Sequence, residues 1–329
     1  MKRLALFLCA TALASTASAQ VLTNTSRGIV AAHNGRIELA GGWSAAGVKN
    51  ATAIVAGSAQ VAVLDALNNE AVVVDLATGR ATRHETAETP IDAVFAGREL
   101  YVLCRDANVV QRFGQRFGQG APALRVAADS AFLRASSGRV YVYSRLSGSV
   151  EQLGGARVVV APFASDFEIA GNTGYLVLPR EARIRVIDLT TMKLAGDLSV
   201  GAVPVDLGFA GGGSAITARV LAVADPSAKR VWLTEGTQSM TQAIARGFLR
   251  GVLGLGLFSA RSSQFPTGVD RVLVAGRTWV AYDTSSGTLY RFTRSTSRVL
   301  AKNIAPNAFA ITNAGAVAYW QDGRVRLAN

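Results

Sequence analysis

Short apolar runs, broken by polar and glycine-bearing turns, recur along nearly the whole chain, and one such unit reads VAVLDALNNEAVVVDL from Val61 to Leu76 before closing on Ala77-Thr78-Gly79. Apolar and polar residues alternate in Arg139-Val140-Tyr141-Val142-Tyr143, and Thr278-Trp279-Val280-Ala281-Tyr282 is built the same way. A period of two with β-branched and aromatic residues predicts strands, and long helical periodicity is missing through most of the chain. Asn68-Asn69, Gly97, Ser137-Gly138, Ser147-Gly148, Gly171 to Gly174, Ser286-Gly287 and Asp322-Gly323 supply residues that accept positive φ between the strands, as hairpins need.

Aligning one strand of each unit on its leading aliphatic residue places marks at Val72, Val109, Val150, Val186, Val231, Leu289 and Val325, at intervals of 37, 41, 36, 45, 58 and 36 residues. A strand–turn unit repeating every few tens of residues predicts a ring of small antiparallel sheets. The expected fold is therefore all-β, a single β-propeller of seven four-stranded blades over residues 20–329. The last unit stops after the strand Arg324 to Leu327. The N-terminal pieces Arg27 to Ala32 and Arg36 to Ala40, around Asn34-Gly35, are expected to complete that seventh blade and close the ring.

Tyr101-Val102-Leu103-Cys104 resembles the signature of the YVTN-type β-propeller repeat. Val186-Ile187-Asp188-Leu189 and Val73-Val74-Asp75-Leu76-Ala77-Thr78-Gly79 are similar to that repeat's following strand and turn, and quinoprotein-like repeats use a related Asp-x-x-Thr-Gly turn. Val110-Gln111-Arg112-Phe113 and Tyr290-Arg291-Phe292 lack the Asp. The resemblance implies a propeller that binds partners on its faces.

The first residues change the picture of where such a ring works. Met1-Lys2-Arg3, the apolar stretch Leu4 to Leu13 and Ala17-Ser18-Ala19 before Gln20 form an export signal, whose removal leaves 310 residues. The expected location is the periplasm or the exterior. Removing Lys2 and Arg3 takes the formal charge from +12 to +10, which favours acidic partners. Its arginines are scattered without a run, so nucleic acid is not expected; an envelope protein or anionic envelope polymer is. No apolar stretch of the mature chain is long enough to span a bilayer as a helix. Cys104 is the single mature thiol, so stability must come from packing.

Candidate chemistry is sparse. Asp75, Asp188 and Asp283 stand at strand ends beside turns, where an Asp accepts backbone N–H bonds. His33 and His84 are far apart and read as surface or turn residues, and Cys104 as a buried hydrophobe. Asp166 and Glu168 would share one face of a strand, a spacing common by chance. Gly211-Gly212-Gly213-Ser214 and Gly254-Leu255-Gly256 lack the context of a phosphate or dinucleotide loop. No catalytic, cofactor or metal residue is assigned.

The 58-residue interval holds an insertion at about 236–266, whose core, AIARGFLRGVLGLGLFSAR from Ala243 to Arg261, is the least blade-like stretch. As a helix it would be cationic and amphipathic, although Gly247, Gly251, Gly254 and Gly256 each cost about 1 kcal/mol relative to Ala. Its Arg246, Phe248, Leu249, Arg250, Val252, Leu253, Leu257 and Phe258 form the candidate interaction surface, for its own domain, a partner or lipid. The expected function is an exported binding or assembly scaffold of the cell envelope. The alternatives are a propeller enzyme (lyase, lactonase or quinoprotein-like oxidoreductase) with its site at the central channel, and a peripheral membrane factor acting through Ala243 to Arg261.

Overall fold

The run Val61-Ala62-Val63-Leu64 is apolar at every position because both of its faces are covered. Val61 and Val63, with Val72 and Val74, pack against the preceding sheet, whereas Ala62 and Leu64, with Ala71 and Val73, pack against the following one. The same two-sided burial repeats around the molecule, giving a core made of seven clusters lodged between sheets.

The structure, a computed structural model, describes residues 20–114, 123–210, 220–235, 261–293 and 296–328. They form a propeller of eight blades, each an antiparallel sheet in sequence order. Blade 1 comprises Val21–Thr25, Gly28–His33, Arg36–Leu39 and Ser44–Ala46; blade 2 comprises Ala53–Ala56, Gln60–Asp65, Glu70–Asp75 and Ala81–Glu85. Blades 3 to 7, also four-stranded, open with Pro90–Ala96, Ser130–Ser136, Asp166–Ala170, Asp206–Ala210 and Arg271–Ala275. Blade 8 has three strands, Phe309–Ile311, Val317–Gln321 and Arg324–Ala328. The first strand of every blade touches the first strands of both neighbours, and that of blade 8 touches that of blade 1, so the ring is closed around a central channel.

The expected seven blades are corrected to eight, and the expected closure is corrected with them. All seven marked residues do fall on third strands, from Val72 to Val325. The missed blade is the N-terminal one: Arg36–Leu39 is its third strand, and the chain adds an inner strand, Val21–Thr25, and a short outer one, Ser44–Ala46. VLTNT and SAA are too polar or too short to carry a visible period, which is why this blade reads as a fragment. It does not pair with the C-terminal strands. Blades 8 and 1 meet face to face instead, with Leu22, Ile29 and Ala31 against Phe309, Ile311 and Trp320. The N–H of Leu22 donates to Asn307 O (2.9 Å), and Asn313 Nδ2 donates to Thr25 O (2.9 Å).

The turn aspartates behave as turn residues, but Asp283 is not equivalent to the other two. Asp75 and Asp188 end third strands, and each accepts the next two available N–H groups, Ala77 and Thr78 or Thr190 and Thr191. Asp283 ends a second strand, as do Asp65 and Asp225, and these three sit toward the opposite face of the ring. Burial works against the Asp225 charge. The Ser227 hydroxyl and the N–H groups of Ala202, Ala228 and Val203 outweigh it and hold the carboxyl below its usual range. A side chain at Gly201, whose φ is +57°, would collide with that carboxylate.

Replacing Asp225 by Ala would strand buried N–H groups of two loops, and we expect a loss of about 2–4 kcal/mol in urea unfolding. Asp75→Ala, at a solvated turn, should shift the same measurement much less.

Candidate functional site

Three inner strands carry an aspartate at or near their start, and in each case the carboxylate hooks the next blade. Asp92 accepts the N–H of its own neighbour Ala93 (2.9 Å) and that of Leu133 in blade 4 (2.8 Å). Asp166 accepts the N–H of Phe167 (2.8 Å) and that of Leu207 in blade 6 (3.2 Å), and Asp206 that of Val272 in blade 7 (2.6 Å). In blade 4 the corresponding residue is Phe132, which cannot accept, and the link to blade 5 passes to Arg134 two positions further along.

Arg134 is the centre of the arrangement. Its Nε and Nη2 lie 2.9 Å from Glu168 Oε1, its Nη1 lies 2.9 Å from Asp92 Oδ2, and Asp166 Oδ1 stands 3.8 Å from Nη2. One guanidinium therefore joins blades 3, 4 and 5. The ring of Phe132 lies 5.8 Å from Arg134 on one side and 5.8 Å from Arg145 on another, extending the cationic contacts toward the surface.

Phe132, Asp166, Glu168 and Asp206 of this set open on the central channel, a cavity of about 690 Å³ also lined by Asn24, Ser165, Asp270, Arg271 and Asn307. Arg271 Nη1 donates to Asn307 Oδ1. Ser165 Oγ is shielded and has no hydrogen-bond partner among the described residues.

Three carboxyls around one guanidinium, with Asp206 against one of them, raise one another's proton affinity in so enclosed a place. Burial pushes Glu168 up to about 7, against the pull of Arg134. Asp206 is raised well above the usual carboxylate range, first by burial and then by the charge of Asp166, with which its side chain shares a hydrogen bond. Burial also raises Asp166 and Asp92, with Arg134 opposing it in both. The result is a set of carboxyls with raised proton affinity, of which Asp166 and Asp92 lean on Arg134 and Glu168 exchanges its proton near neutrality. Burial opposes the charge of Arg134, but Glu168, Asp92 and Asp166 outweigh it and keep the guanidinium protonated.

Of the residues singled out from sequence, Asp166 and Glu168 do share a face, and that face is the channel. Their partners Asp92, Arg134 and Asp206 were missed because the ring brings them together from four blades. The available signal was the recurring apolar residue after an Asp at the head of the first strand, in Asp92-Ala93, Asp166-Phe167 and Asp206-Leu207. Cys104 is fully buried, and burial pushes its thiol up to about 12.

The histidines are not the surface or turn residues expected. His33 lies in a strand of blade 1, 3.3 Å from Glu38 and 4.1 Å between ring centres from Trp320, while His84 lies in a strand against Phe113, and burial lowers its pKa. Among the described residues no group of three or more His, Cys, Asp or Glu is placed to hold a metal ion, and no helix is long and apolar enough to cross a membrane.

The eight residues proposed as an interaction surface, Arg246, Phe248, Leu249, Arg250, Val252, Leu253, Leu257 and Phe258, lie outside the described residues, as do Gly211 to Ser214 and Gly254 to Gly256. Arg261–Gln264 is the fourth strand of blade 6, so residues 236–260 connect its third strand to its fourth.

No protein-family model matches the chain, and none of the curated proteins does. Solved structures do. The computationally designed Ika8 protein is similar over 94% of this chain and 96% of its own, with a TM-score of 0.66 at 14% identity. Sqt1 of Saccharomyces cerevisiae is similar over 95% and 96%, with 0.64 at 10% identity. A streptogramin B lyase is similar over 84% and 93%, with 0.59 at 12% identity. At such identities the likeness carries the β-propeller fold and no particular repeat family.

A carboxyl whose folded pKa lies above its unfolded one favours folding most below the unfolded value, and that contribution is lost as pH rises through the folded value. Glu168 therefore withdraws stability between pH 4.5 and about 7. Glu168→Gln should flatten the pH dependence of the urea midpoint over that window, by about 1 kcal/mol after allowing for channel water. Arg134→Met should cost about 3–5 kcal/mol at pH 8, where its carboxylates are left unpaired, and less at pH 5.

Proposed function

We propose that this chain is an exported binding propeller of the cell envelope whose ligand site is the central channel. The observation that carries the channel is that Asp166, Glu168 and Asp206 line one cavity of about 690 Å³, while Arg134 ties Glu168 to Asp92 of a further blade. A cavity of that size with a few converging polar groups and displaced proton affinities is the usual form of a small-molecule site. Phe132 adds an aromatic wall. Export is supported by the first 19 residues, with their basic start, apolar stretch and Ala17-Ser18-Ala19.

The same site favours a second reading through one observation. Burial raises the proton affinities of Asp206 and Asp166, and Glu168 exchanges near pH 7, which places a carboxyl suited to acid–base catalysis in the channel. A streptogramin B lyase, and a catalytically inactive virginiamycin B lyase from Staphylococcus aureus with quinupristin, share the fold. The channel reading is thus open to an enzyme of the lyase class.

Expressed from its own first residue in a Gram-negative host, the protein is expected in the osmotic-shock fluid with Gln20 at its N-terminus; retention in the cytoplasm with Met1 intact counts against export. Native mass spectrometry after exposure to the small molecules of an envelope extract should show a bound species that Phe132→Ala loses and the distant Leu67→Ala keeps. Quinupristin should be recovered intact. Its consumption by the wild type, abolished in Glu168→Gln, would move the assignment to an enzyme.

A further inference from the structure

Blade 8 differs from the other seven in one respect: no strand pairs with the outer side of Arg324–Ala328 among the described residues. The consequence is visible in burial. The third strand of blade 7, Thr288–Phe292, is buried at four of five positions, whereas Arg324–Ala328 is buried at none, and Leu327 is 66% exposed. An open strand edge is a row of unpaired N–H and C=O groups, a template for another strand.

The neighbouring space is shaped for an occupant. A groove of about 490 Å³ runs between this edge and the outer hairpin of blade 1, with Leu39, Trp43, Trp320 and Val325 among its walls and Arg324 and Ser44 beside them. Its one acid, Glu38, is already engaged by His33, Arg36 and the Ser44 hydroxyl. The free charge at the edge is positive. Arg324 makes no ion pair among the described residues, Arg326 has one, to the exposed Asp322, and Arg326 Nε has no partner.

We propose that the outer edge of blade 8 accepts an extended, acidic segment of a partner protein as its fourth strand. The residues of such a segment would alternate, acidic side chains meeting Arg324 and Arg326 and apolar ones covering Val325 and Leu327. A second copy of this chain is the poorer occupant, because antiparallel pairing of the edge with itself would bring the arginines of both copies together. Arginines can also serve simply to keep an edge unpaired, but that role accounts for neither the apolar walls of the groove nor the exposed Leu327. This surface is remote from the channel cluster and stands whether or not the channel binds a ligand.

The test is hydrogen exchange of the whole protein, read over 324–328, with two blocked hexapeptides as probes, one alternating Glu and Val and one alternating Lys and Val. The Glu–Val peptide is expected to slow exchange there by about tenfold or more, and the Lys–Val peptide to leave it unchanged. Arg324→Glu, alone and with Arg326→Glu, should reverse that preference while keeping the thermal midpoint of a folded ring. Protection by neither peptide, or equally by both, overturns the proposal. So does protection of 324–328 in the protein alone to the level of Thr288–Phe292, which means the edge is already filled. Protection that grows with protein concentration without peptide assigns the edge to a second copy and overturns it as well.

Discussion

Everything in this molecule depends on burying both faces of every sheet. A small twisted sheet has two apolar faces to remove from water and no helix to cover either, so it must be flanked by two others of its kind, and the only finite arrangement in which every member is flanked is a ring. Tyr143, Tyr175 and Tyr282 show how tightly that condition is met: each is fully buried, in its blade's second strand. Tyr143 and Tyr282 also reach a loop carbonyl through their hydroxyls, Ala161 O at 2.8 Å and Ile304 O at 2.6 Å, tying the sheet interior to the chain that leads into the next blade. The central channel is a by-product of that geometry. Eight inner strands cannot all meet on an axis, and the space they leave is an interior place where polar side chains from several blades converge.

The periodic elements were legible because two-sided burial writes a simple code: apolar runs of strand length, separated by residues that take positive φ. Asn69, Asn108, Ser137 and Asp322 all adopt it in hairpin turns. The blade count was not legible because the code weakens at the ends. Val21–Thr25 carries Asn24 and Thr23 toward the channel, where polarity is allowed, and Ser44–Ala46 is an outer strand with solvent beside it. Neither has the burial that produces the signal. Blade 8 failed in the opposite way, since its third strand is readable and its lack of a fourth looked like a gap awaiting the N-terminus.

The site was less legible than the fold for a reason that belongs to rings in general. Asp92, Arg134, Asp166 and Asp206 are separated by dozens of residues, and each alone is an unremarkable polar residue at the head of a strand. Only the pair Asp166 and Glu168 shares a strand, and two acids at that spacing carry no information until Arg134 is seen between them and Asp92. The same residues also serve structure: three aspartates bridge consecutive inner strands by accepting main-chain N–H groups. A substitution there changes ring integrity and channel chemistry together, which is why a change at Glu168, which receives no main-chain N–H from a neighbouring blade among the described residues, separates the two more cleanly than a change at Asp166.

Charge is distributed against the composition. The chain is strongly basic, at +12, yet the polar cluster at its channel gathers three carboxyls around Arg134 and a fourth, Asp206, beside them. A basic exterior cannot neutralise that cluster at a distance, because solvent and salt screen surface arginines beyond about 10 Å. The cluster therefore answers to local groups, chiefly Arg134, with Arg271 acting on Asp206 and Glu168 exchanging its proton near neutrality. At the rim the balance is reversed: the outer edge of blade 8 presents Arg324 and Arg326 to solvent with little acid nearby. The ring thus separates an acidic interior from a basic, incompletely paired border, and two surfaces so different in sign and shape are suited to different ligands.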